Sequence, residues 1–187
     1  KNIIPKYCFS CFKILIEPEN ILDLIRLHII FDNFQFKNGN ARKCMIEMRK
    51  GVSGVYKGFI YCKSLKEAEE IQDQISTTLK SNISPNIRYQ IKRGCTEYLS
   101  SYPNYKDLKK LMIYNEDWKE DENSIDQQFP FLKNNFSNRR TRSGINLRDI
   151  LTFRNWIYFA YLKNDQTYKL VSEKIYKTNF IEKKVLN

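Results

Sequence analysis

Lys57-Gly58-Phe59-Ile60-Tyr61 carries a lysine and two aromatic rings at alternate positions. On a β-strand alternate side chains share a face, so the three would stand side by side. Rings among cations can stack bases while ammoniums meet phosphates, each stacked base contributing about 1–3 kcal/mol. A second basic group is Arg139, Arg140 and Arg142, mixed with Thr141 and Ser143 and followed by a predicted helix start. Guanidinium forks, hydroxyls and a helix N-terminus together suit a phosphate, although the spacing is not that of a P-loop.

The remaining reactive side chains are sparse. Cys8, Cys11, Cys44, Cys62 and Cys95 form an odd set without the dense spacing of a disulfide framework, which points to reduced thiols. Cys8, Cys44, Cys62 and Cys95 share one strand parity and one expected sheet edge. Across three inter-strand spacings the outer two would lie roughly 14 Å apart, too far for one tetrahedral ion, so no metal is expected. Cys95 is the expected reactive thiol because Arg93 precedes it. His28 is the lone histidine and lies in an apolar helix, where a satisfied core role is expected. Without a second histidine, the usual zinc-hydrolase and histidine-triad chemistries lose support. Glu47, Glu97 and Asp107 belong to no motif, so catalytic residues are left unassigned and no cofactor is expected.

These residues need a frame, and the hydrophobic periodicity supplies one. The pattern predicts a strand over 7–17, a helix over 21–32 and a strand over 42–49. After the turn Gly51-Val52-Ser53-Gly54 it predicts a strand over 55–63, a helix opened by Ser64 and running to about 79, and a strand over 87–95. Ser64 with Glu67 forms a capping box. The expected class is α+β: a ferredoxin-like βαββαβ unit with a four-stranded antiparallel sheet and two helices, plus a helical C-terminal region. The expected division is 1–96 for the first unit and 97–187 for the second, packed on it. A short helix is expected over 106–114, an exposed, mobile acidic connection over 116–126, and helices over 146–163 and 166–176.

Strand parity assigns the two faces of the sheet. Phe12, Ile14, Ile16, Cys44, Ile46, Met48, Gly58, Ile60, Cys62, Ile87, Tyr89 and Ile91 would meet the helices. Lys13, Leu15, Lys43, Met45, Glu47, Arg49, Lys57, Phe59, Tyr61, Lys63, Arg88, Gln90 and Lys92 would face away, with Tyr7, Phe9 and Cys11 joining them. The stretch Lys57 to Tyr61 resembles the RNP1 motif of RNA-recognition motif domains in its basic residue, its glycine and its two rings on one strand, and it departs from that motif at Ile60. The resemblance implies that Phe59 and Tyr61 form a stacking platform and that Lys57 contacts phosphate. A different burial is open to the same rings: the aromatic C-terminal half could cover them.

Lys and Arg number 32 against 21 Asp and Glu, a net charge of +11. The excess occurs in both halves, with 16 basic and 9 acidic residues over 1–96 and 16 and 12 beyond. Such a field attracts polyanions. The expected function is therefore binding of nucleic acid, RNA or single strands, through Lys13, Lys57, Phe59, Tyr61, Arg88 and Lys92. The alternative is an enzyme or binding domain for a phosphorylated or other anionic small molecule held by Arg139, Arg140 and Arg142. A third reading is a protein-interaction module of a larger chain. No apolar run reaches membrane-spanning length, so no membrane partner is expected, and the thiols suggest the cytoplasm or another reducing compartment. The chain begins at Lys1 rather than Met, which leaves room for a preceding leader or domain.

Overall fold

A computed structural model describes residues 3–95, 98, 102–110, 112–130 and 145–171. It is an α+β protein built on a four-stranded antiparallel sheet. The elements run β1 (Phe12–Glu17), α1 (Ile21–Asn33), β2 (Arg42–Ile46), β3 (Tyr56–Cys62), α2 (Leu65–Asn82), β4 (Arg88–Arg93), α3 (Lys119–Gln128) and α4 (Leu147–Leu162). The strands lie side by side in the order β2-β3-β1-β4. Ile14 pairs with Ile60 on one side and Ile91 on the other, and Leu15 pairs with Phe59 and Gln90, which fixes the register.

The helices start where local chemistry tells them to. Asn20 caps α1 by accepting from Asp23 N at 2.9 Å, and Ser64 Oγ caps α2 by accepting from Glu67 N at 3.1 Å. The expected reciprocal half of the second cap differs: Glu67 accepts from Lys63 N, one residue earlier, and from Asn38 and Asn40 side chains. That ties the loop before β2 to the start of α2. One face of the sheet buries Ile14, Ile16 and Ile60 completely against Leu27, Phe31, Ile71, Ile75 and Leu79. Gly58 makes that approach possible, because a Cβ there would overlap Leu27 and crowd Phe31.

Helix α4 packs beside α1 on the helix-bearing side of the sheet, against Cys44 and Ile46 of β2 as well. Trp156 and Ala160 of α4 pack on Ile21, Leu24 and Ile25 of α1 and on Tyr56. Asp165 locks this contact: one carboxylate oxygen accepts from Ile21 N at 2.7 Å and Tyr56 Oη at 2.8 Å, the other from Thr167. These donors hold the Asp165 carboxyl below its ordinary value despite burial. Nothing in the sequence pattern had singled out Asp165. His28 is no core histidine. It sits half-buried between α1 and α4, with Nε2 3.4 Å from Asp149 and its ring edge-on to Phe153 and Trp156.

Three expected elements come out differently. The first strand begins at Phe12, because Lys6–Ser10 forms a 3-10 turn that follows Pro5. Phe9 leaves the sheet and nests edge-on among Tyr98, Tyr102 and Tyr114, each ring centroid 5.5 Å away. The described part of 106–114 is turn and extended chain, not helix. The acidic connection is an ordered 3-10 turn at Glu116–Trp118 leading into α3. Its Glu122 accepts from Lys6 N at 2.8 Å and from Tyr114 Oη at 2.7 Å, so its negative charge holds it against the N-terminal turn.

Candidate functional site

On the sheet face opposite α1 and α2, β1 and β3 set Lys13 opposite Tyr61 and Leu15 opposite Phe59. The two rings are half-buried neighbours with centroids 6.4 Å apart. Lys13 Nζ lies over both, 5.6 Å from the Phe59 centroid and 5.9 Å from that of Tyr61. Beside them opens a cavity of about 360 Å³ floored by Leu15, which is only 1 % exposed. Its walls carry Lys13, Arg49, Lys57, Lys92, Arg93 and Lys106 against one acid, Glu47.

Lys57 has a different role from the phosphate contact implied by the motif. It is 3 % exposed, and its ammonium lies 3.6 Å from Glu47 Oε2. Glu47 in turn accepts from Arg49 through Nε at 2.9 Å and a terminal nitrogen at 2.7 Å. These hydrogen bonds, with Lys57 behind them, hold the Glu47 carboxyl down at about 2. A buried cation with its own counter-ion is structural first. Lys92 is the more telling group. Burial of its stem lowers it below the ordinary lysine value, and the ammoniums of Lys57, Lys106 and Lys13 add to the effect against Glu17. An anion in the cavity would relieve that crowding.

The loop after β4 forms one wall. Gly94 adopts φ +57° and accommodates the Tyr98 ring where a Cβ would overlap it. Arg93 does not serve Cys95 as the sequence suggested. It is buried over the Phe12 ring and donates to the carbonyls of Leu108 and Lys110, which brings Tyr105 and Lys106 to the rim. The cation beside Cys95 is Lys13, with Nζ 3.4 Å from Sγ.

The expected site residues therefore divide. Lys13, Lys57, Phe59 and Lys92 line one cavity, with Tyr61 adjoining through its ring contacts. Arg88 is exposed on the same strand but pairs across to Glu17, outside the lining. Arg139, Arg140 and Arg142 lie outside the described residues. Arg49 and Lys106 were not proposed from sequence as site residues. Arg49 was visible by parity, whereas Lys106 is brought there only by Arg93. Among the described residues no group of cysteine, histidine or carboxylate side chains could hold a metal ion, and no helix is long and apolar enough to cross a membrane.

What the residues define is a class: an α+β protein in which the sheet face opposite α1 and α2 is basic and ring-bearing among the described residues. No family model, no curated protein and no solved structure matches the chain.

Proposed function

We propose that the protein binds single-stranded nucleic acid, RNA foremost, across the face of its sheet opposite α1 and α2. One observation carries this reading: a single ammonium, Lys13, lies over two adjacent half-buried rings, Phe59 and Tyr61, at the edge of a cavity rich in cations. Bases would stack on the two rings, and phosphates would run past Lys13, Lys92, Lys106 and Arg49. The ferredoxin-like assignment of the first unit belongs to the same reading. Its support is the β1-α1-β2-β3-α2-β4 succession together with a sheet that reads β4-β1-β3-β2 from its other edge. The partner calls for no catalysis, and no catalytic residue is assigned.

The cavity itself favours a second reading. At about 360 Å³ it lies within the range of small-ligand pockets, so a phosphorylated metabolite would also fit its charge. Titration of the full chain with single-stranded RNA at several salt concentrations separates the two. A polyanion binder loses affinity log-linearly with salt, by about 0.7 of a slope unit per phosphate contact on a single strand. Absence of RNA binding at low salt removes the first reading and leaves the metabolite.

A further inference from the structure

Three thiols lie near the edge where β1 begins and β4 ends. The Cys11 carbonyl accepts from Gly94 N at 2.8 Å, which extends the β1–β4 ladder and places Cys95 next to the residue that Cys11 faces. Cys8 stands one 3-10 turn before, its carbonyl accepting from Cys11 N at 3.1 Å. Cys95 is exposed, whereas Cys11 is half-buried. The Lys13 ammonium donates to Cys95 Sγ at 3.4 Å. A second, separate observation points at the same spot. The Tyr98 hydroxyl is buried and has no hydrogen-bond partner among the described residues. Burial raises its phenol above the ordinary value, and proximity to Cys8, Cys11 and Cys95 raises it further. An oxygen introduced at the thiols would give that hydroxyl an acceptor.

We propose that Cys95 is a redox modification site, whose thiol takes an oxygen from a peroxide and then closes a disulfide with Cys11. In the first step the Cys95 sulfur attacks one peroxide oxygen. The S–O bond forms as the O–O bond breaks, and the departing hydroxide leaves as water with the thiol proton, relayed through Lys13. Sulfur is oxidised to the sulfenic acid and the peroxide is reduced. In the second step the Cys11 sulfur attacks Cys95. The S–S bond forms, the S–O bond breaks, and the hydroxyl leaves as water with the Cys11 proton. Two thiols and one peroxide thus give one disulfide and two waters. Exposure and a cationic neighbour select Cys95 for the first step. Position along the ladder selects Cys11 for the second. Burial and the neighbouring Glu67 push the Cys62 thiol up to about 12, which leaves it inert and makes it an internal reference for intact folding.

The chemistry is read without any nucleic acid, so its outcome is separate from that of the proposed binding. The full chain is treated with hydrogen peroxide, sulfenic acid is trapped with dimedone, and peptides are mapped without reduction. The expected product is a peptide pair linked through Cys11 and Cys95. Cys11→Ser should stop at a dimedone adduct on Cys95, and Lys13→Met should slow formation of that adduct about tenfold, the loss of one charge-assisted hydrogen bond. An adduct on Cys8 ahead of Cys95, a disulfide joining Cys8 to Cys11, or a rate indifferent to Lys13→Met would overturn the proposal.

Discussion

The two faces of one sheet solve opposite problems with alternate residues of the same strands. Toward the helices, Ile14, Ile16 and Ile60 are fully buried, and Gly58 lets α1 come close. Toward the other side, Lys13, Phe59 and Tyr61 stay half-buried, and only Leu15 is sealed as completely as the core isoleucines. The helix side gains its stability from apolar area and close packing. The other side spends much of its surface on like charges, which disfavour one another until an anion arrives. A face that is stabilised by its own packing should respond to truncation by unfolding. A face arranged for a ligand should respond by failing to bind.

Ile60→Ala gives the largest expected effect. It should lower unfolding free energy by about 2–5 kcal/mol, as deletion of a buried aliphatic side chain leaves a cavity. Denaturant unfolding measures it, and a loss below 1 kcal/mol would mean that the helix side is not the core. Glu47→Gln comes next, at about 2 kcal/mol, because it removes the negative charge and one of the two oxygens that accept from Arg49, and leaves Lys57 buried without a counter-ion. Its pH dependence has a definite sign. The folded chain holds Glu47 at about 2 against an ordinary 4.5, so unfolding takes up a proton between those values. The stabilisation is complete above the ordinary value and is lost as pH falls toward the folded one. The difference between the native chain and Glu47→Gln should therefore shrink on acidification. A difference that stays constant down to pH 2 would show that the carboxylate is not paired.

Phe59→Ala and Tyr61→Ala test the other side. Each should weaken single-stranded RNA binding by about 1–3 kcal/mol. Each should cost the fold no more than about 1 kcal/mol, since neither ring is fully buried. Fluorescence anisotropy alongside thermal unfolding separates the two quantities. If stability falls by several kcal/mol and affinity is unchanged, both faces are core and the comparison collapses.

Much of this contrast could be read from the chain, and what could not shares one cause. Strand parity placed Lys13, Phe59, Tyr61 and Lys92 together because alternation is a local rule. The cap at Ser64 was legible for the same reason, its acceptor lying within three residues of the donor. Tyr7 to Ser10 alternates like a strand, yet it turns, because Phe9 finds its partners at Tyr98, Tyr102 and Tyr114. Lys57 looked like a surface cation until the turn after β2 brought Glu47 and Arg49 to it. Asp165 gains its meaning only from Ile21 and Tyr56, more than a hundred residues earlier. These misses are partners outside the local repeat, which periodicity cannot see.

The smallest expected effect is the one that most directly tests whether the cations serve a ligand. Lys92 lies below the ordinary lysine value of 10.5 through burial and the neighbouring Lys57, Lys106 and Lys13. Its ammonium is the form that attracts phosphate. Affinity for a strand should therefore begin to fall, as pH rises, before ordinary lysines lose their charge. Lys92→Gln should remove that early alkaline limb and reduce the salt slope by about 0.7, the share of one phosphate contact on a single strand. Arg88→Gln, opposite Glu17 and outside the cavity lining, should leave both quantities nearly unchanged. Equal effects of the two substitutions would mean that only the overall positive field matters. A larger effect of Lys92→Gln than of Arg88→Gln on the salt slope would locate the phosphate path along the cavity rim, and loss of the alkaline limb with Lys92→Gln would assign that limb to its ammonium, since a guanidinium keeps its charge there.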